Sequence, residues 1–326
     1  MKSRVKVPSY LQTAVLEIIL LILCIALALA APGFLTAENL LNVLRNVSMQ
    51  GVIAFGMTMV IIAGEIDLSV GSAVAFSGCL AAYLTQFLSG PSVGWVSMAA
   101  VPVAMAVTLG VGLLLGIFTG FMRTRYQVPS FITTLALLTG LMGVAELITN
   151  GFPINSFPDW YNFFGGGYVA GVPFPALVFI LVFVSVHVLM NFTAFGRSVY
   201  AVGGNAEAAR LSGINVRFVK MAVLGFTAML AALSGILQSA EIMAGTATTA
   251  KGWELDIIAA VIIGGTSLMG GSGRIWGTMV GIVFLGVIIN GMTLLNISEY
   301  WQHVVRGVLI LAAVLLNRMQ TDREPA

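Results

Sequence analysis

The chain has 326 residues, 59% of them hydrophobic and only 9% Asp, Glu, Lys or Arg, with a formal net charge of +2. Soluble domains carry roughly 25% charged residues, and the mean hydropathy here is +1.01, so a soluble globular domain is excluded. The composition is that of an all-α integral membrane protein, and its charge balance calls for no nucleic-acid partner.

A membrane-crossing helix needs about 20 apolar residues, within a range of roughly 17–25. By that rule the chain divides into about ten spans. The first half holds 11–31, 47–63, 70–88, 95–121 and 128–149; the second holds 172–191, 220–240, 257–269, 275–295 and 301–317. Segment 95–121 is long enough to be tilted or broken, and 257–269 is short for a span. The stretch 11–31 follows a basic start and precedes "ALAAPG", but it is too long for a signal-peptide core of about 7–15 residues and reads as the first span.

Orientation follows from Lys and Arg, which collect on the cytoplasmic side. With the N-terminus inside, twelve of them fall in inner segments: Lys2, Arg4, Lys6, Arg123, Arg125, Arg197, Arg210, Arg217, Lys220, Arg274, Arg318 and Arg323. Only Arg45 and Lys251 fall outside, and Arg306 lies within the last span. The expectation is N-in/C-in. Cys24 and Cys79 sit inside apolar runs, far apart, and read as small buried hydrophobes. The 37 glycines suit helices whose backbones pack closely in a bilayer.

In chain order, the first unusual stretch is "VIIAGEIDLSVGS" (60–72), which places Glu65 and Asp67 between apolar runs. An ionised acid at mid-bilayer costs at least about 2.5–3.5 kcal/mol, so such residues are functional candidates. Asp67 is expected to cap the helix that follows it. Glu65 has no local partner, and its expected role is at the substrate pathway, by a hydrogen bond to cargo or by pairing with an Arg. "VIIGGTSLMGGS" (261–272) echoes this stretch, a possible internal repeat of the sort transporters carry. Gln50, Gln238 and Asn290 are the other intramembrane candidates for a pathway; helix–helix hydrogen bonding is the plainer alternative. Glu17 and His187 lie near inner span ends, and Glu146 near an outer one.

Two connections are long. Outside, residues 150–171, "NGFPINSFPDWYNFFGGGYVAG", have the Gly, Pro and aromatic content of a docking surface or of a plain ordered loop. Inside, residues 192–219 contain "VGGNAEAARLSGINV". There Gly203 and Gly204 are expected to break the chain, Asn205 to cap a helix over Ala206–Leu211, and Gly213 to stop it. Glu207 and Arg210 match the helix dipole. So short a helix is marginal alone; it either packs on its own bundle or reaches into a partner's groove.

No G-x-x-x-x-G-K-[ST] occurs, so ATP is not hydrolysed by this chain. "GGSGRIWG" only imitates a dinucleotide loop. His187 and His303 are isolated, with no metal motif around them.

"GEIDLSVGS", "VPSFITTLAL", "FGRSVYAVGGNAEAARLSGINV", "AAVIIGGTSLMGGSGRIWGT" and "VVRGVLILAAVLL" together resemble the ribose/xylose/autoinducer-2 branch of bacterial ABC importer permeases. The likeness runs from about Pro32 to Asn317, in the family's order. It implies a single permease domain over 1–326 in the bacterial inner membrane, forming the pore with a second copy or a paralogue. It implies a cytoplasmic ATPase pair that holds the ATP and Mg, a periplasmic sugar-binding protein, and a sugar or polyol cargo moved by alternating access. Within it, Gly203, Gly204, Asn205, Glu207, Ala208, Ala209, Arg210, Leu211 and Gly213 match the ATPase-coupling helix, with Ala208 and Ala209 expected against the partner. Many members have Gly-Gly-Ile-Asp where this chain has Gly64-Glu65-Ile66-Asp67, which leaves Glu65 as a subgroup feature. A branched-chain amino acid permease and an ion-coupled secondary transporter using Glu65 and Asp67 are the alternatives. A membrane enzyme would need paired carboxylates for Mg²⁺, and none are spaced for it.

Overall fold

The computed structural model describes residues 15–89 and 95–321. The start of the first apolar segment and the charges Lys2, Arg4, Lys6 and Arg323 lie outside the described residues.

Helix α1 covers Val15–Ala30. A tight turn leads to α2, Ala37–Ile62, whose start is set by Thr36: its hydroxyl accepts the Asn39 N–H at 3.3 Å. Then come α3 (Val70–Ser89), α4 (Trp95–Arg125) and α5 (Ser130–Thr149). The segment after α5 holds a 3₁₀ turn (Asp159–Asn162), a helical turn (Phe163–Gly166) and a small antiparallel hairpin of β1 (Tyr168–Val169) and β2 (Val172–Pro173). The chain continues as α6 (Phe174–Phe192), α7 (Ala194–Gly204), α8 (Ala206–Leu211) and α9 (Val216–Ile242). It closes with α10 (Trp253–Ile263), α11 (Ile275–Leu294) and α12 (Glu299–Thr321).

Among the described residues, seven helices are long and apolar enough to cross a membrane: α2, α3, α4, α5, α6, α9 and α11. The sequence-derived bounds need three corrections. The segment expected at 47–63 is the C-terminal part of a 26-residue helix; the first ten residues of that helix include Asn39, Asn42, Arg45 and Asn46, polar enough to hide its start from a hydropathy window. The segment expected at 257–269 is helical only over Trp253–Ile263, because Gly264 and Gly265 end it. Helix α4 is unbroken despite Pro102.

Helices α2, α9 and α3 form the centre. Of the apolar window in α2, 83% is buried within the molecule, against 22% in α5, so α5 keeps an apolar face for lipid. Close approach to α9 is made by glycine. Gly112, Gly116 and Gly120, one turn apart on α4, meet Ala228 and Ala232, then Leu224 and Gly225, then Met221 of α9. Any side chain on Gly116 would overlap the Leu224 carbonyl, which is how small residues admit helices to one another without a hydrophobic drive.

The echoed sequences end their helices identically. In one, Gly64 (φ +75) follows α2, and the Glu65 N–H reaches Val60 O at 3.0 Å. In the other, Gly265 (φ +87) follows α10, and the Thr266 N–H reaches Val261 O at 3.2 Å. Both are Schellman turns, which need a left-handed residue at the position glycine fills. Each is followed by a non-helical stretch and a 20-residue helix, α3 or α11. The preceding helices differ, with 26 residues in α2 and 11 in α10.

Candidate functional site

The stretch after Gly64 explains why acids sit among apolar residues. The Glu65 carboxylate lies near the start of α9, where Lys220 reaches its Oε1, and it accepts the Arg123 Nε–H at 2.8 Å and 3.0 Å on its two oxygens. Nine residues later, Val74 packs on Gly235 of α9. From Lys220 to Gly235 is about 22 Å of helix at ~1.5 Å per residue, more than a nine-residue helix spans. Residues 65–69 are non-helical, and at ~3.3 Å each they supply the missing rise. Such backbone is tolerated at membrane depth only inside protein. Here the Ile66 and Leu68 N–H groups donate to Ser130 Oγ (3.2 Å) and Thr134 Oγ1 (3.1 Å) on α5.

Asp67 serves the same segment. Its Oδ1 accepts the Ser69 N–H at 2.8 Å and the Ser69 hydroxyl at 2.6 Å, and the Ser69 carbonyl takes the first helical bond, from Ala73. Ser69 is therefore the residue at the cap position of α3, and Asp67 braces it from two residues back. That differs from direct capping by Asp67, because the helix starts at Val70 and the cap position therefore falls on Ser69.

Beside Glu65, three backbones touch at glycines. The Gly271 N–H donates to Ile62 O at 2.9 Å. A Cβ on Gly203 would overlap that same carbonyl, and one on Gly271 would lie 2.8 Å from Gly204 Cα. Gly203 and Gly204 thus sit in the last turn of α7 and do not break the chain there. Gly203 must be small because α7 ends against the α2 and α10 turns, whereas a Cβ on Gly204 would meet open space.

Past that junction, the Asn205 side chain accepts the N–H groups of Glu207 (3.0 Å) and Ala208 (2.9 Å), and Gly213 (φ +85) terminates α8. Glu207 and Arg210 pair at 2.6 Å. The hydrogen bond from Arg210 and its charge hold the Glu207 carboxyl below the usual carboxylate range. Helix α8 turns Glu207, Ala208, Arg210 and Leu211 outward, and Leu211 is 74% exposed. Ala209 is buried against the protein's own core. The expectation that both alanines face a partner is corrected: successive helical positions diverge by ~100°, and here that turn carries Ala209 inward while Ala208 faces out.

Toward the end of the bundle that carries the hairpin, α2, α9, α10, α11 and α12 line a half-open cavity of about 380 Å³. Gln50, Gln238 and Asn290 all line it, joined by Asn46, Trp253 and Arg306. Glu65 and Asp67 do not; the structure separates the five candidate pathway residues into a cavity set and a turn set. Asn290 exchanges amide hydrogen bonds with Asn39 (3.0 and 2.7 Å), and the Gln238 amide donates to Glu241 at 3.2 Å. Each keeps one N–H and part of its carbonyl for the cavity. The side chains of Asn46 and Gln50 make no hydrogen bond among the described residues. Arg306 faces Asp256 of α10 at 3.3 Å, and its buried Nε has no partner among those residues.

Above the cavity, Glu241 lies 4.0 Å from Arg45, which donates to the Tyr168 hydroxyl at 2.5 Å. Tyr161 donates to Ile236 O (3.0 Å), and Asn162 to Ala240 O (3.1 Å). The segment following α5 is thereby bonded onto the last turns of α9. Sequence reasoning missed Arg123, Lys220, Asn46, Trp253, Asp256 and Arg306 as site residues. Arg306, a cation inside an apolar segment, carried a usable signal; the others depend on contacts between distant helices.

A bundle of membrane helices with a polar cavity near one end and an exposed capped helix at the other is a transport subunit in design. The chain belongs to the family described as branched-chain amino acid transport system / permease component, which it matches over residues 39–314. It is 41% identical over 304 residues to the ribose import permease protein RbsC of Escherichia coli K12, covering 92% of each chain. To the probable ABC transporter permease protein YphD of the same organism it is 42% identical over 314 residues, covering 94% of this chain and 90% of the relative. The xylose transport system permease protein XylH of Haemophilus influenzae is 31% identical over 369 residues, with 94% and 96% covered. No solved structure matches the chain.

Proposed function

We propose that the chain is the pore subunit of an ATP-driven ABC importer for a sugar or sugar-like polyol, acting with a second permease, a cytoplasmic ATPase pair and a periplasmic binding protein. The observation that carries this is its likeness, over nine-tenths of its length, to proteins named as ribose permeases. The cavity supports a sugar over an amino acid. Its lining has four amide side chains and no carboxylate, whereas a zwitterion needs fixed partners of both signs. Permeases of this class are not enzymes, and ATP and Mg belong to the partner.

The N-in/C-in topology with ten crossings is part of the proposal. Besides the seven long helices, α1, the segment 243–252 with α10, and α12 would each cross. Then α8 lies in the cytoplasm with Leu211 and Ala208 toward the ATPase, and residues 150–171 meet the binding protein. ATP-driven pressure on α8 would reach the bundle through the glycine contacts of Gly203 and Gly204 with the α2 and α10 turns.

Deleting the gene from its host and measuring uptake of labelled ribose, xylose and leucine tests the reading. Loss of ATP-dependent uptake of a sugar, with leucine uptake intact, is expected. Loss of leucine uptake alone, or sugar uptake that survives ATP depletion through the reinstated chain, overturns it.

A further inference from the structure

We infer that the cavity between α2, α9, α10, α11 and α12 is a binding site for one neutral polyhydroxylated molecule of monosaccharide size, at which the permease itself rejects charged cargo. The inference rests on the importer reading and adds a site to it.

The size comes first. At about 380 Å³ the cavity falls at the small end of the ~300–1,000 Å³ typical of small-molecule sites. Its chemistry is next. Asn46 and Gln50 are free of hydrogen bonds among the described residues, and their amides both donate and accept. A hydroxyl has the same dual character, so amides can satisfy it whichever way its proton points. Gln238 is anchored through its nitrogen by Glu241, and Asn290 through both its oxygen and its nitrogen by Asn39, which orients the N–H and the lone pair that each has left over. Fixed, half-spent amides select where a hydroxyl sits; free ones adapt to it.

Two further groups complete the site. Trp253 lies on the wall, and an indole offers an apolar face for the C–H side of a sugar ring together with one N–H donor. Arg306 also lies on the wall, and its buried Nε–H has no partner among the described residues.

Charge decides the class of ligand. The one ionised group on the wall is Arg306, and Asp256 stands 3.3 Å from it. A cation finds no carboxylate on the wall itself, the nearby Glu241 being engaged by Gln238 and facing Arg45, and an anion must compete with Asp256 for Arg306. Either is stripped of water without a free counter-charge, a much larger cost than burying hydroxyls that regain hydrogen bonds. A neutral polyol meets neither penalty. The wall includes Arg306 of α12, so the site is complete only when the last described helix is docked.

The experiment uses the full chain in lipid nanodiscs. Thr293, exposed at the cavity edge, is replaced by Cys in a background with Cys24→Ala and Cys79→Ala. Modification by a small methanethiosulfonate reagent is timed with millimolar D-ribose, D-xylose, D-mannitol, L-leucine or ribose 5-phosphate. At least one neutral polyol should slow modification, while leucine and the phosphate leave it unchanged. Gln50→Leu and Gln238→Leu, checked for folding by size-exclusion profile, should each raise the half-protecting concentration roughly three- to tenfold, the worth of one neutral hydrogen bond. No protection by any polyol, equal protection by leucine or ribose 5-phosphate, or undiminished protection in the Gln50→Leu/Gln238→Leu double variant overturns the site. The readout separates it from the importer reading: sugar uptake without protection removes the site alone, and protection without sugar uptake removes the importer alone.

Discussion

Replacing Glu65 by Gln removes the one negative charge shared by Arg123 and Lys220. The two cations respond differently. The Lys220 side chain is 10% exposed and Arg123 32%, so the Arg123 head re-solvates and its loss is screened to about 0–1 kcal/mol. Lys220 is left as a buried, uncompensated ammonium, and breaking a buried pair from one side costs about 3–5 kcal/mol. The total is therefore about 3–6 kcal/mol, or a fall in unfolding midpoint of roughly 6–12 °C at ~2 °C per kcal/mol for a large domain. The assay is thermal unfolding in detergent followed by size-exclusion fluorescence, with sugar uptake per folded molecule measured alongside. Adding Lys220→Met to Glu65→Gln should restore most of the midpoint, since exchanging a buried ion pair for apolar packing is often neutral or stabilising. The reasoning is refuted if Glu65→Gln unfolds at the parental temperature, or if the double variant is no more stable than the single one.

Other expectations are as direct. In the membrane, Ser212→Cys, in a background lacking Cys24 and Cys79, should react with an impermeant reagent only from the cytoplasmic side, and Phe152→Cys only from the outer side; the reverse pattern overturns the N-in/C-in topology. Leu211→Glu should leave folding intact and weaken co-purification with the ATPase, because Leu211 is 74% exposed; full association and full uptake would reduce α8 to a surface feature. Ala209→Glu should instead lower the yield of folded protein, by burying an unpaired acid in the core, and normal folding would contradict the inward placement of Ala209. Gly203→Val should unfold or uncouple the chain, since any Cβ there overlaps the Ile62 carbonyl, and wild-type uptake would show the junction to be unimportant.

What could be read from the sequence was local. Asn205 and Gly213 bound a helix because a cap and a left-handed stop act within a few residues, and the structure has both. The membrane class followed from hydropathy summed over windows. The same windows missed the first ten residues of α2, where Asn39 and Arg45 face protein and Asn46 faces the cavity while a hydropathy average assumes lipid. They also extended α10 past Gly264, since a glycine turn in apolar sequence changes hydropathy little.

The site was decided by the fold. Glu65 meets Arg123 and Lys220, which are 58 and 155 residues away in sequence, and no spacing rule reaches across such distances. Gln50, Gln238 and Asn290 were each visible as polar residues in apolar runs, but their convergence on one cavity, with Asn46, Trp253 and Arg306, depends on how five helices cross. Asp67 and Glu65 carried the same signal and went elsewhere, into a turn and an ion cluster. The sequence by itself determined that this chain lives in a membrane, where the short helix α8 is capped and stopped, and which polar residues stand among apolar ones, because hydropathy, caps and glycine stops act locally along the chain. Which partner each one has was left to the tertiary structure, because hydrogen bonds and ion pairs act over a few ångströms and only packing brings distant residues that close.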